Sequence, residues 1–229
     1  MTGFGPEAAA TVILAAGSGR RFGGSKLTQP LGDTTVLEHV LQVAATLRGA
    51  HRVVVVGPYR REVDPVLDRH PGLLVVTNPD HELGLATSLR CGLAAVRELG
   101  PEVTCAVVLL GDEPGTPPAA LRAVLQQASA SGRPARASYR GQAGHPVALP
   151  RSTWDAVEQG SHGDAGARRV LADLGVEDVP VDHPRPHDID DPHDLAAVRR
   201  ILPAATGSVA TTPPTDPGRG HPIPPGTYP

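Results

Sequence analysis

Lys26 is the only lysine of the chain, and it ends a glycine-rich segment over residues 15–26 (AAGSGRRFGGSK). An apolar, strand-like run over residues 10–14 comes directly before this segment. A glycine-rich turn after a strand lets backbone N–H groups approach an anion, and nearby cations neutralise its charge. Since all other cationic side chains are arginine or histidine, the single lysine indicates a need for a compact ammonium donor. The segment therefore predicts a polyphosphate-binding loop, and the alternative is a lysine in a flexible surface loop.

This loop does not fit either of two common phosphate-binding motifs. A Walker A loop has lysine directly after glycine, whereas Ser25 precedes Lys26 here. Gly17 and Gly19 have the spacing of a dinucleotide fingerprint, but Phe22 stands at the third glycine position. The next clear helical pattern also begins too far downstream for a tight strand–turn–helix unit. The loop therefore indicates a different type of phosphate site.

Two acidic segments could supply metal ligands. Asp112 follows the apolar run that ends at Leu110, which would place its carboxylate at the ligand-binding edge of a sheet. Mg²⁺ takes oxygen ligands and bridges phosphates, although Gly, Asp and Pro are also turn formers. Asp188 and Asp190 would point to one side of an extended segment, so one or both could join Asp112. Asp191, before a proline, is interpreted as a helix cap.

Weaker signals come from four further positions. Ser88 would lie on the first turn of a helix, where its hydroxyl could meet a ribose or base, and Asn78 precedes that helix. His145 and Arg168 occur in loops that could face a second substrate, with Arg168 as an anion contact. The other histidines lie mostly in proline-rich loops without paired ligand spacing, and we expect them to be exposed.

Composition limits the function classes. The chain has 229 residues, and we expect a disordered N-terminus over residues 1–9, one domain over residues 10–202 and a disordered Pro/Gly-rich tail over residues 203–229. The formal net charge is −3 and no basic run interleaved with aromatics occurs, which argues against nucleic-acid binding. Cys91 and Cys105 lack the spacing of a zinc site. No apolar run reaches membrane-spanning length, so we expect a soluble, cytoplasmic protein without a membrane partner.

The secondary-structure pattern alternates between strands and helices, which predicts an α/β fold with a mostly parallel sheet covered on both faces. In such a sheet, ligands bind beyond the carboxyl ends of the strands. The expected strands are 11–15, 52–56, 73–77, 104–110, 135–139, 146–149 and 178–181. The expected helices are 37–47, 59–69, 85–99, 118–130, 164–174 and 192–201.

Residues 14–23, together with Lys26, resemble the signature of the MobA-like nucleotidyltransferases, and the nearest subgroup is that of the molybdenum cofactor cytidylyltransferases. The resemblance extends over residues 10–201, with further segments in the family's order. Glu113 departs from the family pattern, which often has an apolar or amide residue there. The further segments are Asn78–Pro79, Gly84, Ser88–Arg90, Gly111–Pro114, Gly144–Pro146, Gly163–Arg168 and Asp188–Asp190.

The resemblance implies a Rossmann-like three-layer sandwich of the nucleotide-diphospho-sugar transferase type, and transfer of CMP from CTP with Mg²⁺ and release of pyrophosphate. It implies catalytic roles for Lys26, Arg20 and Asp112, and metal ligation by Asp112 and Asp190. It implies acceptor binding by His145, Asp164 and Arg168. The nucleotide-binding residues that it implies are Leu14, Ala15, Ala16, Gly17, Ser18, Gly19, Arg20, Lys26, Asn78, Ser88 and Gly111.

The implied partners are a nucleoside triphosphate and a phosphorylated acceptor such as molybdopterin, with a recipient molybdoenzyme or its chaperone as a further partner. An acceptor phosphate is already anionic, so the absence of an obvious general base in the sequence agrees with nucleotidyl transfer. The alternatives are an NAD(P)H-dependent oxidoreductase of the nicotine-blue type, a GTP-using molybdopterin guanylyltransferase, and a non-catalytic nucleotide-binding maturation factor.

Overall fold

The computed structural model describes residues 4–19, 21–163 and 167–202. Arg20, Asp164 and the tail over residues 203–229, about which the sequence makes predictions, lie outside the described residues. Residues 4–9, part of the N-terminus for which disorder is expected, have described contacts. Pro6–Ala8 form a short 3-10 helix, and the Phe4 N–H donates to Ser129 Oγ at 2.7 Å. Phe4 also packs against the core.

Seven strands form one sheet with the spatial order β5–β4–β1–β6–β8–β7–β9, and two short strands pair separately as β2 and β3. The strands are β1 Ala9–Ala15, β2 Pro30–Leu31, β3 Thr34–Thr35, β4 His51–Val56, β5 Leu73–Thr77, β6 Cys105–Leu110, β7 Ala135–Tyr139, β8 Gln142–Pro150 and β9 Glu177–Val181.

Strand direction divides the sheet into two parts. β5, β4, β1 and β6 are parallel to one another, as are β7 and β9, whereas β8 runs antiparallel to both β6 and β7. The reversal arises at Arg140 and Gly141, which have φ angles of 50° and 82°. Two successive residues with positive φ form the tight turn that joins a β-hairpin. The predicted mostly parallel sheet is confirmed, with β8 as the antiparallel exception.

The helices cover both faces of the sheet, so the predicted three-layer α/β sandwich is confirmed. Residues of α1, α2, α4 and α7 share one core cluster, and residues of α3, α5 and α6 share the other. No helix among the described residues is long and apolar enough to cross a membrane. The helices are α1 Val36–Ala45, α2 Arg60–Leu67, α3 Leu85–Glu98, α4 Pro118–Ser131, α5 Trp154–Gly160, α6 Arg168–Asp173 and α7 Pro192–Ile201.

The central strand β1 is buried on both faces and connects the two core clusters. Ile13 packs in one cluster and Val12 in the other, as the alternation of side chains along a strand requires. On the Val12 side, a Cβ at Gly92 would clash with the Val12 side chain, so this glycine lets α3 approach β1 closely. This close packing fixes the start of α3 beside the carboxyl end of β1, where the glycine-rich loop begins.

Capping boxes begin two of the helices, α1 and α7. The Thr35 hydroxyl accepts from the Glu38 N–H and the Glu38 carboxylate accepts from the Thr35 N–H at the start of α1. Asp191 caps α7 in the same way, as the sequence predicts, with Asp194 as its reciprocal partner. Each cap satisfies backbone groups that a helix start leaves free. The Asp191 cap also fixes the position of Asp190, whose N–H donates to Asp194 Oδ2 at 2.9 Å.

Candidate functional site

A cavity of about 560 Å³ lies beyond the carboxyl ends of β1 and β6. The glycine-rich loop forms one wall, and the start of α3 forms another. This is the edge at which open α/β sheets bind ligands. The lining residues are Leu14, Ala16, Gly17, Ser18, Gly19, Arg21, Lys26, His81, Glu82, Gly84, Leu85, Ser88, Leu110, Asp112 and Asp190.

Two glycines of the loop serve different purposes. Gly19 has a φ of 55°, and a Cβ there would clash with the Gly24 carbonyl, so the loop conformation itself requires glycine. A Cβ at Gly17 would meet nothing within 4 Å. Because packing within the protein does not require glycine at position 17, its bare backbone leaves space in the cavity for a ligand to approach closely.

Lys26 joins two carboxylates that are far apart in the sequence. Its Nζ lies 2.6 Å from Asp112 Oδ2 and 3.2 Å from Asp190 Oδ1. Arg21 contributes a second cation, 3.1 Å from the other oxygen of Asp190. A backbone hydrogen bond from the Ile189 N–H to the Asp112 carbonyl, at 3.1 Å, connects the two acidic segments. The fold therefore brings the predicted residues Lys26, Asp112 and Asp190 to one point of the cavity.

Burial and neighbouring charges shift the pKa of Lys26 in opposite directions. Burial by itself lowers the pKa of Lys26, but charge and hydrogen bonding from Asp112 and then Asp190 outweigh it and raise the pKa above its usual value. The ammonium is therefore charged at neutral pH and neutralises the two carboxylates. A divalent cation bound by the same oxygens would take over this neutralisation and release Lys26 toward an anion.

Asn78 lies behind the cavity wall. It is 3% exposed, and its amide donates to Thr87 Oγ1 at 2.9 Å and Ser88 Oγ at 3.0 Å. Ser88 lines the cavity, so Asn78 is placed to hold a lining hydroxyl in position. Ala15 and Gly111 also lie outside the cavity lining. A Cβ atom added at Gly111 would be 3.1 Å from the Cβ atom of Ala15. Their small size lets the ends of β1 and β6 approach each other.

Several lining residues were not predicted from the sequence, namely Arg21, His81, Glu82, Gly84, Leu85 and Leu110. Gly84 lies in a segment that resembles the family, but no site role was predicted for it. A glycine directly before a helical pattern is also a boundary signal, and its φ is 98°. Arg21 belongs to the predicted loop, but nothing in its type or spacing distinguishes it from the neighbouring Arg20. No local sequence signal marks the other residues.

A second cavity of about 320 Å³ adjoins the first and shares Leu14, Leu85 and Leu110 with it. His145 and Arg168, the described members of the predicted acceptor group, both line this cavity. Its other lining residues are mostly apolar, with additional charged side chains. These residues are Leu89, Val108, Glu113, Arg136, Ala143, Gly144, Val147, Leu149, Ala167, Leu171, Arg185 and Asp188.

In each of two pairs of acidic residues that are close in the sequence, the two members line different cavities. Asp112 lines the first cavity and Glu113 the second, while Asp190 lines the first and Asp188 the second. Asp188 and Asp190 therefore do not share a site, contrary to the prediction that they point to one side. The reason is that their segment is not a regular strand: Ile189 is completely buried, and its N–H bonds to Asp112.

Asp112 and Asp190 form the donor set that best fits a divalent cation. Both are hard oxygen donors in a cavity with a phosphate-type loop, and Lys26 now offsets their charge. Among the described residues, Asp191, His193 and Asp194 also bring potential ligand atoms within 4.8 Å of one another. However, the Asp191 carboxylate accepts from the backbone N–H groups of His193 and Asp194, which explains this cluster as a helix cap.

Comparisons with known proteins agree with this geometry. Rv0371c of Mycobacterium tuberculosis H37Rv, solved in complex with manganese, superposes with a TM-score of 0.72 at 29% identity over 85% of this chain and 99% of its own. Phosphoenolpyruvate guanylyltransferase of Sanguibacter keddieii is 36% identical over 143 residues, which are 61% of this chain and 49% of that protein.

The bifunctional protein GlmU of Corynebacterium aurimucosum is 35% identical over 119 residues, which are 49% of this chain. The match spans only 24% of that GlmU, so this chain corresponds to a part of it. The model of the MobA-like NTP transferase domain matches residues 11–184, which include both cavities except for Arg185, Asp188 and Asp190. This chain therefore belongs to the MobA-like NTP transferase family.

Proposed function

We propose that this chain transfers CMP from CTP to a molybdopterin-type acceptor and releases pyrophosphate. The observation that carries the proposal is the convergence of Asp112 and Asp190 on Lys26 Nζ, at 2.6 and 3.2 Å, in a cavity walled by the glycine-rich loop. Such a centre combines backbone donors, one ammonium and two metal-binding carboxylates. These are the groups that a nucleoside triphosphate requires.

The adjoining cavities explain how two substrates could meet. The first has room for a nucleotide and the second for a smaller acceptor, and they share the side chains of Leu14, Leu85 and Leu110. An acceptor phosphate oxygen would attack the α-phosphorus as the bond from that phosphorus to the pyrophosphate oxygen breaks. Because the attacking oxygen is already anionic, the protein would supply alignment and charge neutralisation rather than a base.

Asp112 and Asp190 would hold a divalent cation, and in the complex with CTP this cation would neutralise the phosphates. We propose Mg²⁺, with Mn²⁺ as a substitute because the similar Rv0371c was solved with manganese. Lys26 would contact the phosphates, and the resemblance implies the same role for Arg20 of the glycine-rich segment. Ser88, held by Asn78, would contact the nucleoside at the opposite wall.

Three arginines support an anionic acceptor. Arg136, Arg168 and Arg185 line the second cavity, and Arg168 and Arg185 form no ion pair with any residue that the structure describes. Arg136 already pairs with Asp178 at 2.6 Å. The free positive charge therefore belongs to Arg168 and Arg185, where a phosphate could be neutralised. The resemblance implies a further acceptor contact from Asp164.

The decisive experiment is pyrophosphate release with each NTP, Mg²⁺ and molybdopterin. We expect release with CTP only when the acceptor is present, and CTP should exceed GTP in competition at equal concentrations. GTP incorporation equal to or above that of CTP would favour guanylyl transfer. Oxidation of NAD(P)H without pyrophosphate release would favour an oxidoreductase, and nucleotide binding without either reaction would favour a maturation factor.

A further inference from the structure

Glu113 is a buried carboxylate in the wall of the second cavity. Its side chain is 3% exposed, and Oε2 has no hydrogen-bond partner among the described residues. Leaving a buried polar atom unpaired is costly, and for a charged group the cost is larger still. An unpaired carboxylate oxygen at the wall of an open cavity therefore indicates that a ligand supplies the missing hydrogen.

The described groups around Glu113 supply no hydrogen-bond donor to this oxygen. His145 Nδ1 lies 3.6 Å from the other oxygen, Oε1. The Tyr139 hydroxyl could serve as a donor, but it donates to the His145 carbonyl at 2.6 Å.

The rest of the cavity defines the kind of ligand. Its walls include apolar side chains from β6, β8 and α3, among them Val108, Val147 and Leu89, which suit a flat ring. Arg168 and Arg185 are exposed, whereas Glu113 is buried. A molecule bound here would therefore have an N–H donor at its buried end and an anionic group at its exposed end.

We infer that Glu113 selects the acceptor by accepting a hydrogen bond from the amino edge of a flat heterocycle, while Arg168 and Arg185 bind the anionic group of the same molecule. This inference rests on the proposed function, because it assigns the second cavity to the acceptor. A pterin ring has such an edge, since its 2-amino group donates. A lumazine ring has a carbonyl oxygen at the same position, which would face the carboxylate unfavourably. Glu113 is thus a specificity-determining residue.

The test compares two matched probes, pterin-6-carboxylate and lumazine-6-carboxylate, by equilibrium binding to the full chain. We expect the pterin to bind roughly 10- to 100-fold more tightly than the lumazine, the range of a hydrogen bond to a charged group. Glu113→Gln should abolish or reverse this preference, because a glutamine amide can donate to the lumazine carbonyl. CTP binding, measured in the same way, should not change in this variant.

Asp188→Asn is the matched control, because it removes one negative charge from the same cavity at an exposed position. It should keep the preference for the pterin. Three results would overturn the inference. The wild type could bind both probes equally, or it could bind neither. The third is a Glu113→Gln variant that has the wild-type melting temperature and keeps the preference for the pterin. Pyrophosphate release with CTP and molybdopterin tests the proposed function separately, so the two failures are distinguishable.

Discussion

Replacement of Lys26 by methionine tests the charge balance of the site. Methionine keeps much of the side-chain length but removes the ammonium that Asp112 and Asp190 share. In the wild type, the Lys26–Asp112 pair is well shielded, with side-chain exposures of 11% and 22%, whereas Asp190 is 41% exposed. The variant leaves the two carboxylates close together without their common partner, and this repulsion lowers the stability of the metal-free protein.

The magnitude follows from these exposures. A shielded hydrogen bond between charged groups contributes about 1.5–3 kcal/mol, and an exposed pair such as Lys26–Asp190 at most about 1 kcal/mol. We therefore expect Lys26→Met to lose about 2 kcal/mol of unfolding free energy. For a domain of this size, that loss lowers the melting temperature by about 4–8 °C. Turnover should fall by about 10²- to 10³-fold, as for other losses of a preorganised charge contact.

The assay is thermal unfolding with EDTA and with Mn²⁺, alongside pyrophosphate release. Because Lys26 would compete with the proposed cation for Asp112 and Asp190, Mn²⁺ should raise the melting temperature of the variant more than that of the wild type. The matched control is Arg21→Met, which removes a 79% exposed cation whose ion pair in the described part of the chain is with Asp190. It should shift the melting temperature by less than about 2 °C. Equal stabilisation of wild type and Lys26→Met by Mn²⁺ would refute this reasoning.

Three further predictions concern other parts of the chain. Burial by itself raises the pKa of Glu38, but hydrogen bonds from Arg69 and the α1 cap hold this pKa below 4.5. Glu38→Gln should therefore lower the free energy of unfolding in urea by about 1–3 kcal/mol above pH 4.5. That difference should shrink as the pH falls through the folded pKa. Asp190→Asn should weaken the metal dependence of turnover in Mn²⁺ titrations, whereas Asp188→Asn should not. Truncation before Pro203 should change neither turnover nor melting temperature, and a marked loss of either would show that the tail packs on the domain.

Local patterns in the sequence were sufficient for most of the elements. Apolar runs and helical spacing predicted each strand of the main sheet and most helices, because burial on one or two faces imposes a period on the side chains. The short helix Trp154–Gly160 and the paired strands Pro30–Leu31 and Thr34–Thr35 were missed. These elements are too short to show a period, and neighbouring contacts stabilise them instead. The antiparallel direction of β8 depended on a turn at Arg140–Gly141 that carries only a weak turn signal.

The sequence by itself determined the family, the phosphate-type loop with its single lysine, and the acidic residue that follows β6. Only the tertiary structure decided that Asp190, rather than Asp188, joins Asp112 at Lys26, since burial of Ile189 turns the two carboxylates toward different cavities. It also placed Asn78 behind Ser88 and left Glu113 Oε2, in the wall of the second cavity, without a hydrogen-bond partner among the described residues. The orientation of a loop side chain depends on contacts between distant segments, and a local pattern contains no information about those contacts.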